Sequence, residues 1–172
     1  DTLQAQQQQQ GEKSTAKVVD FAGKDSEDPV DWLNSFERAA VTNRWNDEAR
    51  KVQIVGGYMK GAAAEWFDGQ NFGGHWNAGT NNGVNFVDRF KLRFVTETRK
   101  NQWYHELTTL RQSTNETVDT YANKFKKLVT RIGLADDAQK KRMFLMGLNP
   151  AYTPLVYAQA TGDLEAAITS AR

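Results

Sequence analysis

The residues able to do covalent or acid–base chemistry are few and scattered. His75 and His105 are the only imidazoles, and the chain has no cysteine. A zinc or catalytic pair usually sits one helical turn apart or in a spaced Cys/His set, and neither pattern is present. His75 falls among glycines and asparagines, where a solvated side chain is expected. His105 lies beside an apolar stripe, as a boundary residue and not a base. The glycines around Phe72 do not lead into Gly-Lys-Ser or Gly-Lys-Thr, so no phosphate cradle is indicated. There is no Asp-Thr-Gly or Asp-Ser-Gly of an aspartic protease. Without thiols, disulfides, thiolate metal sites and cysteine nucleophiles are excluded. Asn115-Glu116-Thr117 matches a glycosylation acceptor, but in a chain read as intracellular it is a helix cap. These residues predict a protein that is not an enzyme and needs no metal or cofactor.

What remains is binding chemistry. Lys124, Lys126, Lys127 and Arg131, followed by Lys140, Lys141 and Arg142, form a basic cluster that could meet RNA or an acidic partner. The plainer reading is a solvated face opposite Phe125 and Leu128. Of the five tryptophans, Trp32, Trp66 and Trp103 fall on apolar stripes and are expected in the core. Trp45 lies just past the first helix and Trp76 in a glycine-rich stretch. These two could anchor a partner or an assembly contact, or pack as satellites of a core. Trp45, Trp76, Lys124, Lys126 and Lys127 are therefore the candidate interface residues.

Charge divides along the chain. Up to Thr98 there are 11 basic and 14 acidic residues, a balance of -3; from Arg99 onward there are 11 and 7, or +4. Halves of opposite sign suit neighbours that dock head to side. A dedicated nucleic-acid domain would be more basic, so direct RNA binding is disfavoured.

The elements carrying these residues read as helices throughout. With 39% hydrophobic and 11% aromatic residues, 172 positions suffice for a core. No apolar run approaches the roughly 20 residues that span a bilayer, and a glutamine run stands where a secretory signal would be apolar. The chain is thus read as intracellular and cytoplasmic. Residues 1–17 are polar and aperiodic, a disordered tail. Val18, Val19 and Phe21 form a short extended patch that could pack on the first helix. That helix begins at Pro29, capped by Asp28 or Ser26, with Trp32, Leu33, Phe36, Ala39 and Ala40 on one face. A second, capped by Asn46 or Asp47, carries Ala49, Val52, Val55 and Met59. A third runs from Ala62 to Phe67. Residues 68–85 are a glycine- and asparagine-rich surface loop, a length that is usually functional or mobile. Phe86, Phe90 and Phe94 mark a fourth helix.

The pattern restarts after Thr96, which divides a lobe at 18–97 from one at 98–172. Trp103, Leu107 and Leu110 stripe a fifth helix. Val118, Tyr121, Ala122, Phe125, Leu128, Val129 and Ile132 mark a sixth, capped by Asn115 or Thr114 and closed by Gly133. A seventh spans about Asp136 to Met146, an eighth follows Pro150, and a ninth begins near Asp163. The fold class is all-α, in two small lobes.

Several apolar words in this order carry a resemblance. Phe21-Ala22-Gly23, Asp31-Trp32-Leu33 with Phe36-Glu37, and Met59-Lys60-Gly61-Ala62-Ala63-Ala64-Glu65-Trp66-Phe67 resemble the opening of the Gag capsid family of gypsy-type long-terminal-repeat retrotransposons. The ladder Phe86, Phe90, Phe94 is similar to the segment that follows there. Leu107 with Leu110-Arg111-Gln112, Glu116-Thr117-Val118 with Tyr121 and Phe125, and Phe144-Leu145-Met146-Gly147-Leu148-Asn149-Pro150 resemble the second half. The resemblance covers Phe21 to Arg172. It implies lobes like the N-terminal and C-terminal domains of a retroviral capsid protein, which self-associate into a virus-like shell around element RNA. The RNA would be reached indirectly, since the cysteine-rich zinc knuckle of a full Gag is absent from this sequence. The competing reading is a domesticated, Arc-like adaptor that keeps the fold, forms no shell and binds partner peptides in its first lobe.

Overall fold

A computed structural model describes residues 11–152 and 162–172. The described chain is all-α, with eight α-helices, a 3-10 turn at Asn81–Gly83 and an isolated parallel bridge from Phe21 to Met59. It separates into two compact units, Asp1–Thr96 and Glu97–Arg172.

The first unit holds α1 (Pro29–Asn43), α2 (Glu48–Gly56), α3 (Gly61–Asp68) and α4 (Phe86–Phe94). The Asp28 carboxylate accepts from the amides of Val30 and Asp31, filling acceptor positions that the first turn lacks. Asp47 caps α2 through the Arg50 amide, and Asn85 caps α4 through that of Asp88. Helix α2 stops earlier than its apolar spacing suggests. The amides of Gly57, Tyr58 and Met59 bond back three residues to Ile54, Val55 and Gly56, a turn too tight to continue an α-helix. Met59 is thereby turned toward Phe21, whose amide donates to Tyr58 O and whose carbonyl accepts from Lys60, both at 2.8 Å.

This unit's core is aromatic. Phe21 touches Trp32, Phe90 and Phe94 at ring separations of 5.3, 5.1 and 5.0 Å. The four-residue spacing of α4 stacks Phe86 on Phe90 at 5.3 Å and sets Phe90 tilted against Phe94 at 5.0 Å. Residues 1–10, with the glutamine run, lie outside the described residues. Part of the stretch read as a disordered tail is instead held in place. Asn43, fully buried, donates to Ala16 O and accepts from Ala16 N, both at 2.9 Å, and Lys13 N donates to Asn43 O. Arg50 clasps both carboxylate oxygens of Glu12 at 2.9 and 3.1 Å. Polar side chains suggested solvation, but each of these finds a partner 27 or more positions away.

The second unit holds α5 (Glu97–Thr109), α6 (Val118–Ile132), α7 (Asp137–Gly147) and α8 (Leu164–Ala171). The cap of α6 is Thr117, whose hydroxyl accepts from Thr120 N; Asn115 and Thr114 fall instead in the turn that Glu116 N closes onto Ser113 O. Gly133 ends α6 at φ 76°, a left-handed conformation that glycine takes without a Cβ penalty. Helix α6 buries Tyr121 and Phe125 completely against Phe144 of α7, at 5.0 and 5.5 Å. The helix expected after Pro150 falls largely on residues 153–161, outside the described residues. Asp163 caps α8.

Candidate assembly surfaces

The two tryptophans proposed as partner-facing are both in the first unit's core. Trp76 has no exposed surface. It stacks on Phe86 at 4.5 Å with planes 10° apart and on Phe36 at 5.1 Å, and its indole N–H donates to Glu37 Oε1. Trp45 keeps 6% exposure and lies 5.6 Å from Phe36 and 6.4 Å from Tyr58. Neither belongs to a helix, so periodicity could not place them. Rings of this size bury wherever the core leaves room, and the interface role assigned to them is withdrawn.

The loop between α3 and α4 is therefore a strap that plugs the core, and two carboxylates pin it. Glu48, in the first turn of α2, accepts from the amides of Asn77 and Trp76 at 2.9 and 3.1 Å. Asp88, in the first turn of α4, accepts from the Asn85 side chain at 2.7 Å and from Gly79 N at 2.8 Å. Bonds made to the charged form hold both carboxyls below their usual range, for Glu48 chiefly through the Asn77 and Trp76 amides and for Asp88 chiefly through Asn85. A carboxyl depressed in the folded state adds stability that is complete above its unfolded range and disappears as pH falls through its folded value. Lowering pH from neutrality to below the usual carboxylate range should thus loosen the strap. The expected signal is a loss of protection, corrected for intrinsic rates, at the Trp76 and Asn77 amides in hydrogen exchange. Glu48→Ala should show that loss already at pH 7 while Gly79 stays protected by Asp88. Trp76 and Asn77 amides as well protected in Glu48→Ala as in the wild type at pH 7 would contradict the pinning.

The second unit's basic residues have divergent environments. Lys124, itself exposed, is ion-paired with Glu116, whose side chain is only 8% exposed. Lys126 turns the other way and pairs with Glu165 of α8 at 2.8 Å. Lys127 is exposed. The structure brings Lys124 and Lys127 to one groove and leaves Lys126 off it. Leu110 and Leu128 contribute to the lining of this groove, together with Arg111, Arg131, Glu106 and Thr109, and its volume is ≈ 590 Å³.

The wall of the groove is fixed by a residue that the sequence marked only within the word Leu110-Arg111-Gln112. Gln112, 7% exposed, donates its amide to Gly147 O at 2.7 Å and its side-chain N–H to Glu116 O at 3.0 Å, while its Oε1 accepts from Asn149 N at 3.0 Å. This ties the α5–α6 connection to the end of α7. Gly147 permits that approach, since a Cβ there would meet Leu110 O at 2.5 Å. Beside this knot the Tyr121 hydroxyl donates to Phe144 O at 2.8 Å, and burial raises its pKa. A lone glutamine between helices gives no periodic signal; only its two long-range partners, Gly147 and Asn149, reveal it.

Outside both cores, large apolar side chains stand in solvent. Val19, Val41 and Leu92 on the first unit and Met146 on the second are 78, 77, 77 and 65% exposed. The histidines meet no catalytic partner set: His75 is stitched into the strap through its own backbone, and His105 is exposed on α5. No described helix is long and apolar enough to cross a membrane.

A comparison with curated proteins gives no match. Among solved structures, the chain is similar to one described as a dARC1 capsid domain dimer, with 16% identity over 92% of this chain and 95% of that one, at a TM-score of 0.42. The model of the Ty3 transposon capsid-like protein family matches residues 6–172, nearly the whole sequence. By that match, the chain belongs to the Ty3 transposon capsid-like protein family.

Proposed function

We propose that this protein is a structural capsid component of Gag type. Its two units are the N-terminal and C-terminal capsid lobes, and copies associate through them into a virus-like shell inside the cell. The observation that carries this reading is where the apolar surface lies. The tryptophans and phenylalanines close each unit's own core, while Val41 on α1, Leu92 on α4 and Met146 on α7 remain more than 60% exposed on helix faces. Isolated apolar residues are common on monomers, but a shell repeats one small contact many times, and three separate apolar positions on two units suit several weak contacts better than one large interface. Retroelement RNA is the cargo of such a shell, reached through a nucleocapsid segment that these residues do not contain. The role is structural and needs no cofactor.

Electron microscopy and light scattering of the purified chain across a chloride series test this reading. Shells, tubes or concentration-dependent oligomers are expected. Met146→Asp should reduce association without changing the thermal midpoint, because its side chain is outside the core. Uniform monomers in every condition, for wild type and variant alike, would replace assembly by the adaptor reading.

A further inference from the structure

The proposed assembly leaves open which surfaces meet, and the charge around each exposed apolar residue decides among them. The first unit carries 11 basic and 13 acidic residues, or -2, and the second 11 and 8, or +3. In the second unit the most distinctive surface is the groove between the end of α5 and α6. Lys124, Lys127 and Arg131 recur at three and four positions, hence along one face of α6, and Arg111 faces them from the chain after α5. Leu110 and Leu128 lie between them. Even with Glu106 and Glu116 counted, the groove keeps a balance of +2. Its complement is an aliphatic side chain rimmed by carboxylates.

Among the described residues of the first unit, one exposed aliphatic side chain has such a rim. Around Leu92 stand Arg89, Lys91 and Arg93 against Asp88, and around Val41 Arg38 and Arg44 against Glu37, both carboxylates being already bonded within the unit; a basic groove repels both. Val19 is followed by exposed Asp20, and the stretch from Lys17 to Asp31 holds five carboxylates against two lysines. The Trp32 indole donates to Val19 O at 2.6 Å, which brings the N-terminal part of α1 to this segment. Phe21, two positions on, is held by two backbone bonds and has no exposed surface. Val19 is thus an apolar knob that is 78% exposed yet carried on a fixed backbone, so little ordering entropy is lost on docking.

We propose that the Val19–Asp20 knob of one copy docks into the Leu110–Leu128 groove of a second copy, with Arg111 and Lys127 meeting the acidic rim. The contact is heterologous, first unit to second unit, so each copy carries one knob and one groove. Such a contact propagates into rings or open arrays instead of stopping at a pair. It rests on the assembly reading and names two of its surfaces.

The test compares full-length wild type, Asp20→Lys, Lys127→Glu and the double variant by sedimentation velocity over a concentration series. Each site is exposed, the thermal midpoint of each variant is measured alongside, and a Val19→Asn variant removes the knob without altering charge. Each single charge reversal should raise the concentration for half-association by about tenfold or more, and the double variant should recover most of that loss, because the pair is restored with opposite polarity. Val19→Asn should weaken association as well. A wild type that never associates refutes the assembly reading, and this contact with it. A wild type that associates while the single variants match it, or a double variant whose losses simply add, overturns this contact and leaves assembly standing.

Discussion

Trp76→Ala will destabilise the first unit by about 3 to 5 kcal/mol, the range for deleting a large buried aromatic. The ring is fully buried between Phe86 and Phe36, so its removal leaves a cavity bounded by two aromatic faces. It also strips Glu37 of the indole donor, leaving that carboxylate with Lys51 at 3.5 Å. Once its plug is gone the strap keeps buried Phe72, the Glu48 and Asp88 bonds and the backbone bonds that Phe86 and Val87 donate to His75 O and Trp76 O, and it should loosen. Two units need not unfold in one step, so residue-resolved hydrogen exchange is the measurement to make. Protection should fall across α1 and α4 and stay constant in α6. Trp76→Phe separates the contributions: it keeps a stacked ring and loses only the indole bond, and should cost much less. Unchanged protection of α1 and α4 in Trp76→Ala would mean that the strap packs on a core already complete without it.

Phe125→Ala should do comparable damage to the second unit, again about 3 to 5 kcal/mol. Phe125 sits in the middle of α6, fully buried, with Phe144 edge-on at 5.5 Å and Tyr121 one turn earlier at 6.4 Å. A domain of ordinary stability holds only about 5 to 15 kcal/mol in total, and a unit of this size is expected near the lower end. The variant should therefore populate an unfolded second unit at room temperature. Loss of protection in α6 and α7, with the first unit's urea transition unmoved, is the expected outcome. An unchanged denaturation midpoint for α6 would show that this face is not what holds the unit together.

The two substitutions also differ in how far each site could be read from sequence. Phe125 announces itself because its neighbours repeat every 3.6 residues, and that period is a property of the local chain. Asp28, Asp47 and Asp163 likewise act on amides two or three positions away, so their caps are legible in the residue order. Trp76 and Trp45 stand outside any period, and the same sequence allowed them to be anchors or packing. Thr117 displaced the expected caps of α6 through a turn at Ser113 that no residue type required. The basic cluster was visible as a cluster, but its division was not: Lys124 goes to Glu116, Lys126 to Glu165, and Lys127 to the groove.

The residue order by itself determined the helices, the restart of pattern after Thr96, the apolar faces and the absence of thiol chemistry, because helix periodicity, capping and composition act over a few positions at a time. Only the tertiary structure decided that the glycine-rich stretch is a pinned strap, that Trp45 and Trp76 are core, that Gln112 locks the groove wall and that Val19 is an exposed knob. Each of those outcomes depends on partners between 13 and 39 positions away, brought together only when the helices pack and burial selects which side chains remain in water.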